Sequence, residues 1–112
     1  MNPDGERAED QALRFLLGQG LKLKQRNYAC RLGEIDLILT DGKTLVFAEV
    51  RMRRSGSFGG AAESITPRKR ARLIAAARHY LAGHKVLPPC RFDAVLIEGG
   101  GAPKWIKDAF GE

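Results

Sequence analysis

The chain has 112 residues, enough for one domain that buries its core without disulfides or a structural metal. Its 44% hydrophobic and 29% charged residues are ordinary globular values. The longest charge-free run, Ser55 to Ala62, is mostly Gly, Ser and Ala, which excludes a transmembrane helix. Met1 leads into Asn2-Pro3-Asp4 with no apolar stretch behind it, so no secretory signal is expected and a cytoplasmic location is. Cys30 and Cys90 lack the spacing of a zinc site and should stay reduced thiols.

Glu6 to Gly18 reads as a helix with Ala8, Ala12, Leu13, Phe15 and Leu16 on one side, ended by Gly18 and Gly20. Leu21 to Tyr28 alternates weakly and predicts a strand. Glu34 to Thr40 and Thr44 to Arg51 predict two strong strands around Asp41-Gly42-Lys43. Met52 to Ser64, rich in Gly and Ser, predicts a loop whose Phe58 is expected to pack back on the domain. Thr66 as N-cap and Pro67 at the first turn open a second helix that runs to about Gly83. Pro88-Pro89 precedes a strand from Arg91 to Glu98, and Gly99-Gly100-Gly101 a short tail in which Trp105 packs. The order is α-β-β-β-α-β plus a tail, a single α/β domain over residues 1–112 with helices on a mixed sheet.

Charged residues sit at positions where folding alone would not put them. Glu9 falls inside the apolar arc of the first helix, which costs free energy unless it is paired, cation-bound or at a cleft edge. Two-residue periodicity puts Asp36 on one face with Glu34 and Ile38, and Glu49 on one face with Leu45, Phe47 and Arg51. A turn over Asp41-Gly42 sets Asp36 diagonal to Glu49, and a four-residue turn sets them directly opposite. In both cases the carboxylates share a face, about 5 to 8 Å apart at Cβ. Facing like charges call for a positive neighbour, and a divalent cation fits: Mg²⁺ takes oxygen ligands, with one or two carboxylates in its shell. Arg51, on the same side, would polarise a metal-bound water or clamp a phosphate. The competing account is an exposed sheet face with ordinary cross-strand ion pairs.

These residues resemble a known pattern. Asp36, a short hairpin, then Glu49-Val50-Arg51 is similar to the PD-(D/E)xK nuclease signature, with Glu9 at the acidic position of the first helix. More closely, Gly33-Glu34-Ile35-Asp36-Leu37-Ile38, Leu45 to Arg51, Glu63-Ser64-Ile65-Thr66 with Lys69 and Arg72-Leu73, and Cys90-Arg91-Phe92-Asp93 resemble the bacterial YraN-like family, over roughly Gly5 to Ile97. That resemblance implies a restriction-endonuclease-like fold similar to Holliday junction resolvases, with Glu9, Asp36 and Glu49 as metal-binding acids and Mg²⁺ (or Mn²⁺) as cofactor. It implies a lysine where this chain has Arg51. Arginine keeps the charge but cannot serve as a base, so Arg51 is expected to clamp phosphate and Lys69 is the candidate to stand in.

The net charge of +6 is segregated. Between Arg51 and Arg72 lie seven basic residues (Arg51, Arg53, Arg54, Arg68, Lys69, Arg70, Arg72) and one acid, Glu63. Arg68, Lys69 and Arg70 occupy the first turn of the second helix, where the macrodipole disfavours cations; free N–H groups beside basic side chains suit a phosphate. The expectation is a metal-dependent endonuclease on structured or branched DNA, with Asp36, Glu49 and Arg51 catalytic and Arg53, Arg54, Arg68, Lys69 and Arg72 on the nucleic acid. The alternative is a non-catalytic nucleic-acid-binding module of the same fold. A homodimer would suit a junction cutter, though no residue demands one.

Overall fold

The computed structural model describes residues 3–53, 65–98 and 101–111. Arg54, Phe58 and Glu63, the expected loop around them and the Gly99-Gly100 pair lie outside the described residues, as does the side chain of Arg53. The elements are α1 (Pro3–Gly18), β1 (Lys22–Cys30), β2 (Gly33–Asp41), β3 (Thr44–Arg53), α2 (Pro67–Leu81), β4 (Cys90–Glu98) and β5 (Lys104–Phe110). The first six follow the expected order. The tail differs: it is a fifth strand, not a packed coil. KWIKDAF carries a weak strand pattern, and Asp108 has φ 52, which breaks any alternation. Pairing with β4 makes it a strand.

The sheet order is β1-β2-β3-β4-β5. All neighbours are antiparallel except β3 and β4, which run parallel, with α2 in the crossover that a parallel pair requires. Each helix covers one face. Ala8, Ala12 and Leu16 of α1 pack on Leu37, Leu39, Val46, Ala48, Val95 and Ile97. Leu73, Ala76 and Ala77 of α2 pack on Ile38, Leu45, Phe47, Phe92 and Phe110 from the other side. This double cover explains the uninterrupted apolar runs Leu37-Ile38-Leu39 and Ala94-Val95-Leu96-Ile97, all fully or nearly buried.

Two local devices aim the polar residues. Asn27 has φ 55, a left-handed conformation that Asn tolerates. Past it the β1–β2 pairs switch sides: Arg26↔Leu37 lies with α1, whereas Tyr28 and Ile35 pack towards α2. Asp36 sits at that switch. The second device is Gly33, the first residue of β2. A Cβ there would meet the Arg72 carbonyl oxygen at 2.7 Å, so only glycine lets α2 lie this close to the strand.

Candidate active site

The β2–β3 register runs from Asp41↔Thr44 to Leu37↔Ala48, the four-residue turn of the two alternatives. Continued by one pair it would set Asp36 opposite Glu49. There the backbone ladder gives way to a side chain: the Val50 N–H donates to Asp36 Oδ2 at 2.8 Å. That bond holds the carboxylate across the opening between the strands. Glu49 is 4% exposed, on the same sheet face as Phe47 and towards α2.

Lys69 reaches this carboxylate, with Nζ 2.8 Å from Glu49 Oε1. Its position follows from the start of α2. Thr66, extended at φ −65 and ψ 159, caps the helix and accepts the Lys69 N–H at Oγ1, 3.2 Å away. Pro67 supplies the fixed φ of the first turn. Arg51 stands further off, its Nη1 4.0 Å from Glu49 Oε1 and its side chain 36% exposed. The residue at the strand position where the resemblance implies a lysine is therefore the more distant cation, and the ammonium comes from the helix.

The electrostatics record two acids crowded together. Burial pushes the Glu49 carboxyl up to about 7, with the Asp36 charge adding to the rise and Lys69 and Arg51 opposing it. Burial also raises Asp36, against the pull of the Val50 N–H, Lys69 and Arg51. Glu9 is raised, again by burial first and by Asp36 second. Asp36 is thus felt by both other acids.

Glu9 itself lies on the α1 side. Its Oε1 is shut off from water and makes no hydrogen bond among the described residues; Arg26 Nε stands 3.5 Å away. Arg26 also pairs with Asp10 at 2.6 Å. Among the described residues no three His, Cys, Asp or Glu side chains converge tightly enough to form a ready metal cage. The structure brings Asp36 and Glu49 together, and leaves Glu9 beside Arg26.

The basic residues of α2 divide. Arg68, Lys69 and Arg72, with Glu34, Thr66 and Leu73, line a cleft of about 200 Å³. Arg70 turns away: Nε donates to the Ile65 carbonyl at 3.0 Å and the guanidinium lies 5.8 Å from the centre of the Phe110 ring. His79 is an exposed side chain hydrogen-bonded to the Tyr28 hydroxyl. Sequence reasoning passed over Arg26, Gly33 and the Val50 N–H. Only Gly33 left a signal, a glycine opening an otherwise strong strand. Among the described residues no helix is long and apolar enough to cross a membrane.

Comparison with known proteins places this arrangement in a lineage. The family model described as "Uncharacterised protein family UPF0102" matches residues 8–97, which include Glu9, Asp36, Glu49, Arg51, Lys69 and Arg72. A UPF0102 protein of Nitrosomonas eutropha is 57% identical over 108 residues, covering 96% of this chain and 93% of the relative. One from Nitrosococcus oceani is 57% identical over 111 residues, covering 95% and 90%, and one from Ralstonia nicotianae 54% over 112 residues, covering 96% and 85%. The match is full-length and far above chance likeness, and the chain belongs to the UPF0102 family, the YraN-like family that the sequence blocks resemble.

Proposed function

We propose that this protein is a metal-dependent endonuclease acting on DNA, with Asp36 and Glu49 as its cation-binding acids and Lys69 as its essential ammonium. One observation carries the reading. A nearly buried carboxylate, Glu49, is kept beside a second acid and met at 2.8 Å by a lysine from another element. Burying two neighbouring carboxylates destabilises a fold, and a stable protein without a use for them would replace them with apolar residues. Perturbed acids at the edge of a cationic cleft are the mark of a functional site.

The residues fit a divalent ion. Two oxygen-donor side chains whose carboxyl groups are both raised by burial suit Mg²⁺ or Mn²⁺, and Glu9, with a buried oxygen lacking a hydrogen bond, is the third donor within electrostatic reach of Asp36. Such an ion, when bound, supplies an acidified water and charge neutralisation on a phosphoryl group. The chain's own residues do the rest. The Val50 N–H fixes Asp36, Lys69 stabilises negative charge beside Glu49, and Arg51 offers a two-pronged clamp for a phosphate oxygen. Arg68 and Arg72, exposed along the cleft, track the backbone of the substrate.

The test is a gel assay of linear and branched DNA with Mg²⁺, Mn²⁺ or EDTA. Cleavage in metal, none in EDTA, and none by Glu49→Gln supports the reading. Binding that is equal in all three conditions without cleavage overturns it in favour of the non-catalytic module. Neutralising Arg68, Lys69 and Arg72 together should flatten the salt dependence of binding by about two to three units of slope, whatever the sequence.

A further inference from the structure

One guanidinium stands between two acids of the first helix. Glu9 and Asp10 follow each other in α1, about 100° apart around its axis, so they cannot aim the same way. Arg26 of β1 pairs with Leu37 of β2, the residue after Asp36, and its side chain reaches both helix acids. The two contacts differ. Nη2 meets Asp10 Oδ1 at 2.6 Å, a short charge-assisted hydrogen bond. Nε stands 3.5 Å from Glu9 Oε1, the oxygen that is shut off from water and accepts no hydrogen bond among the described residues. A buried carboxylate oxygen without a donor costs free energy, and a guanidinium carries donors enough for two carboxylates. Closing the gap between Arg26 and Glu9 would remove that cost, yet the arginine sits with Asp10.

We infer that Asp10 is a positioning residue for the divalent ion: by drawing Arg26 to itself it leaves Glu9 Oε1 open as a ligand. Without Asp10 the guanidinium closes on Glu9, and that oxygen is engaged before any metal arrives. With Asp10 in place the arginine neutralises Glu9 from a distance and leaves its lone pairs unused. Burial and the Asp36 charge push the Glu9 carboxyl up, whereas Arg26 and Asn27 pull it down, so the same guanidinium also favours the ionised form that a hard cation takes. Two neighbours in sequence thus divide the work. Asp10, 53% exposed, holds the arginine, and Glu9, 19% exposed, keeps an oxygen for the metal. Residues that touch a metal ligand and not the metal commonly alter its affinity by about ten- to a hundredfold.

The inference rests on the metal-dependent reading, and Mn²⁺ binding by the full-length protein without DNA separates the two. Free Mn²⁺ is counted by electron spin resonance, and melting in EDTA checks that each variant is folded. Asp10→Ala should bind Mn²⁺ about tenfold more weakly than wild type. Arg26→Met should bind at least as tightly as wild type. Added to Asp10→Ala it should restore affinity, because no guanidinium is left to close on Glu9. In a Glu9→Gln background, Asp10→Ala should change nothing further. The same loss in that background makes Asp10 a distant charge and overturns the inference, as does wild-type affinity for Asp10→Ala or weaker binding by Arg26→Met. The expected pattern without cleavage of DNA in Mn²⁺ supports the role of Asp10 and overturns the nuclease. Cleavage with unchanged affinity for Asp10→Ala does the reverse. No saturable Mn²⁺ binding by wild type overturns both.

Discussion

Two buried acids in this molecule have opposite surroundings. Asp93 of β4 is 0% exposed and fully occupied: Arg91 donates through Nε at 2.8 Å and Nη2 at 2.9 Å, Trp105 through Nε1 at 2.9 Å, and Asp108 through its backbone N–H at 3.0 Å. Arg91 also reaches Asp41 at 3.1 Å, which ties the hairpin turn, β4 and β5 together. Glu49 of β3 is 4% exposed, and its neighbours are one lysine, a distant arginine and a second acid. The first cluster spends its charge on holding the sheet edge in place. The second is under-compensated, and its carboxyl is held near 7 in consequence. Burial of charge is common to both; the number of donors distinguishes the staple from the candidate site.

The comparison breaks first on stability. Asp93→Ala strands an indole N–H and a backbone N–H and leaves the half-buried Arg91 with Asp41 alone, and should cost about 3 kcal/mol in urea unfolding. Glu49→Gln should be neutral or stabilising at pH 8 in EDTA, while abolishing cleavage. Equal destabilisation by the two would erase the distinction.

The next test is pH. Glu49 titrates near 7 folded against an ordinary 4.5 unfolded, so the folded state holds more protons between those values. Its stabilising contribution is present in full below about 4.5 and is lost as pH rises to about 7, by at most about 3 kcal/mol. Without metal, Glu49→Gln should show a flatter stability profile than wild type over this window. An identical profile would mean that Glu49 is no more perturbed than a surface acid.

Cation placement makes a smaller difference. Lys69→Ala should cost the cleavage rate about 3 kcal/mol, the range found for single charge-stabilising groups. Arg51→Ala, removing the more distant and more exposed charge, should cost about 1 kcal/mol, and Arg51→Lys should retain activity. Single-turnover rates at matched DNA occupancy decide this, and a larger loss from Arg51→Ala would return the leading role to the strand. Gly33→Ala tests the same cation placement from the backbone. Its Cβ must push the Arg72 backbone from 2.7 Å, at about 1 to 3 kcal/mol of stability, with Lys69 drawn off Glu49 and the rate falling alongside.

Much of the site was legible before the fold. The alternation of Leu45 and Phe47 assigned the face of Glu49, whereas Asp36 stands where the alternation of β2 breaks, with Ile35 and Ile38 both towards α2. The start of α2 was equally legible, because Thr66 and Pro67 are local signals with a local cause. The fifth strand was not, since Asp108 sits in a left-handed bend and half of KWIKDAF is exposed. The first helix's stripe marked Glu9 as an acid in need of a partner, and its neighbour Arg26, 17 positions away on β1, was not legible. No periodicity connects those two residues.

The sequence by itself determined the two helices, the four main strands and the placing of Asp36 and Glu49 on neighbouring strands. These follow from period and composition, which are short-range properties of the chain. Only the tertiary structure decided which cation meets Glu49, which acid is satisfied and which is not, and how close α2 stands to β2. Each of those depends on contacts between residues far apart in the chain, such as Lys69 with Glu49, Gly33 with Arg72 and Trp105 with Asp93. Such contacts are set by how closely two packed elements approach, and glycine at 33 shows that a single missing methyl group controls that approach.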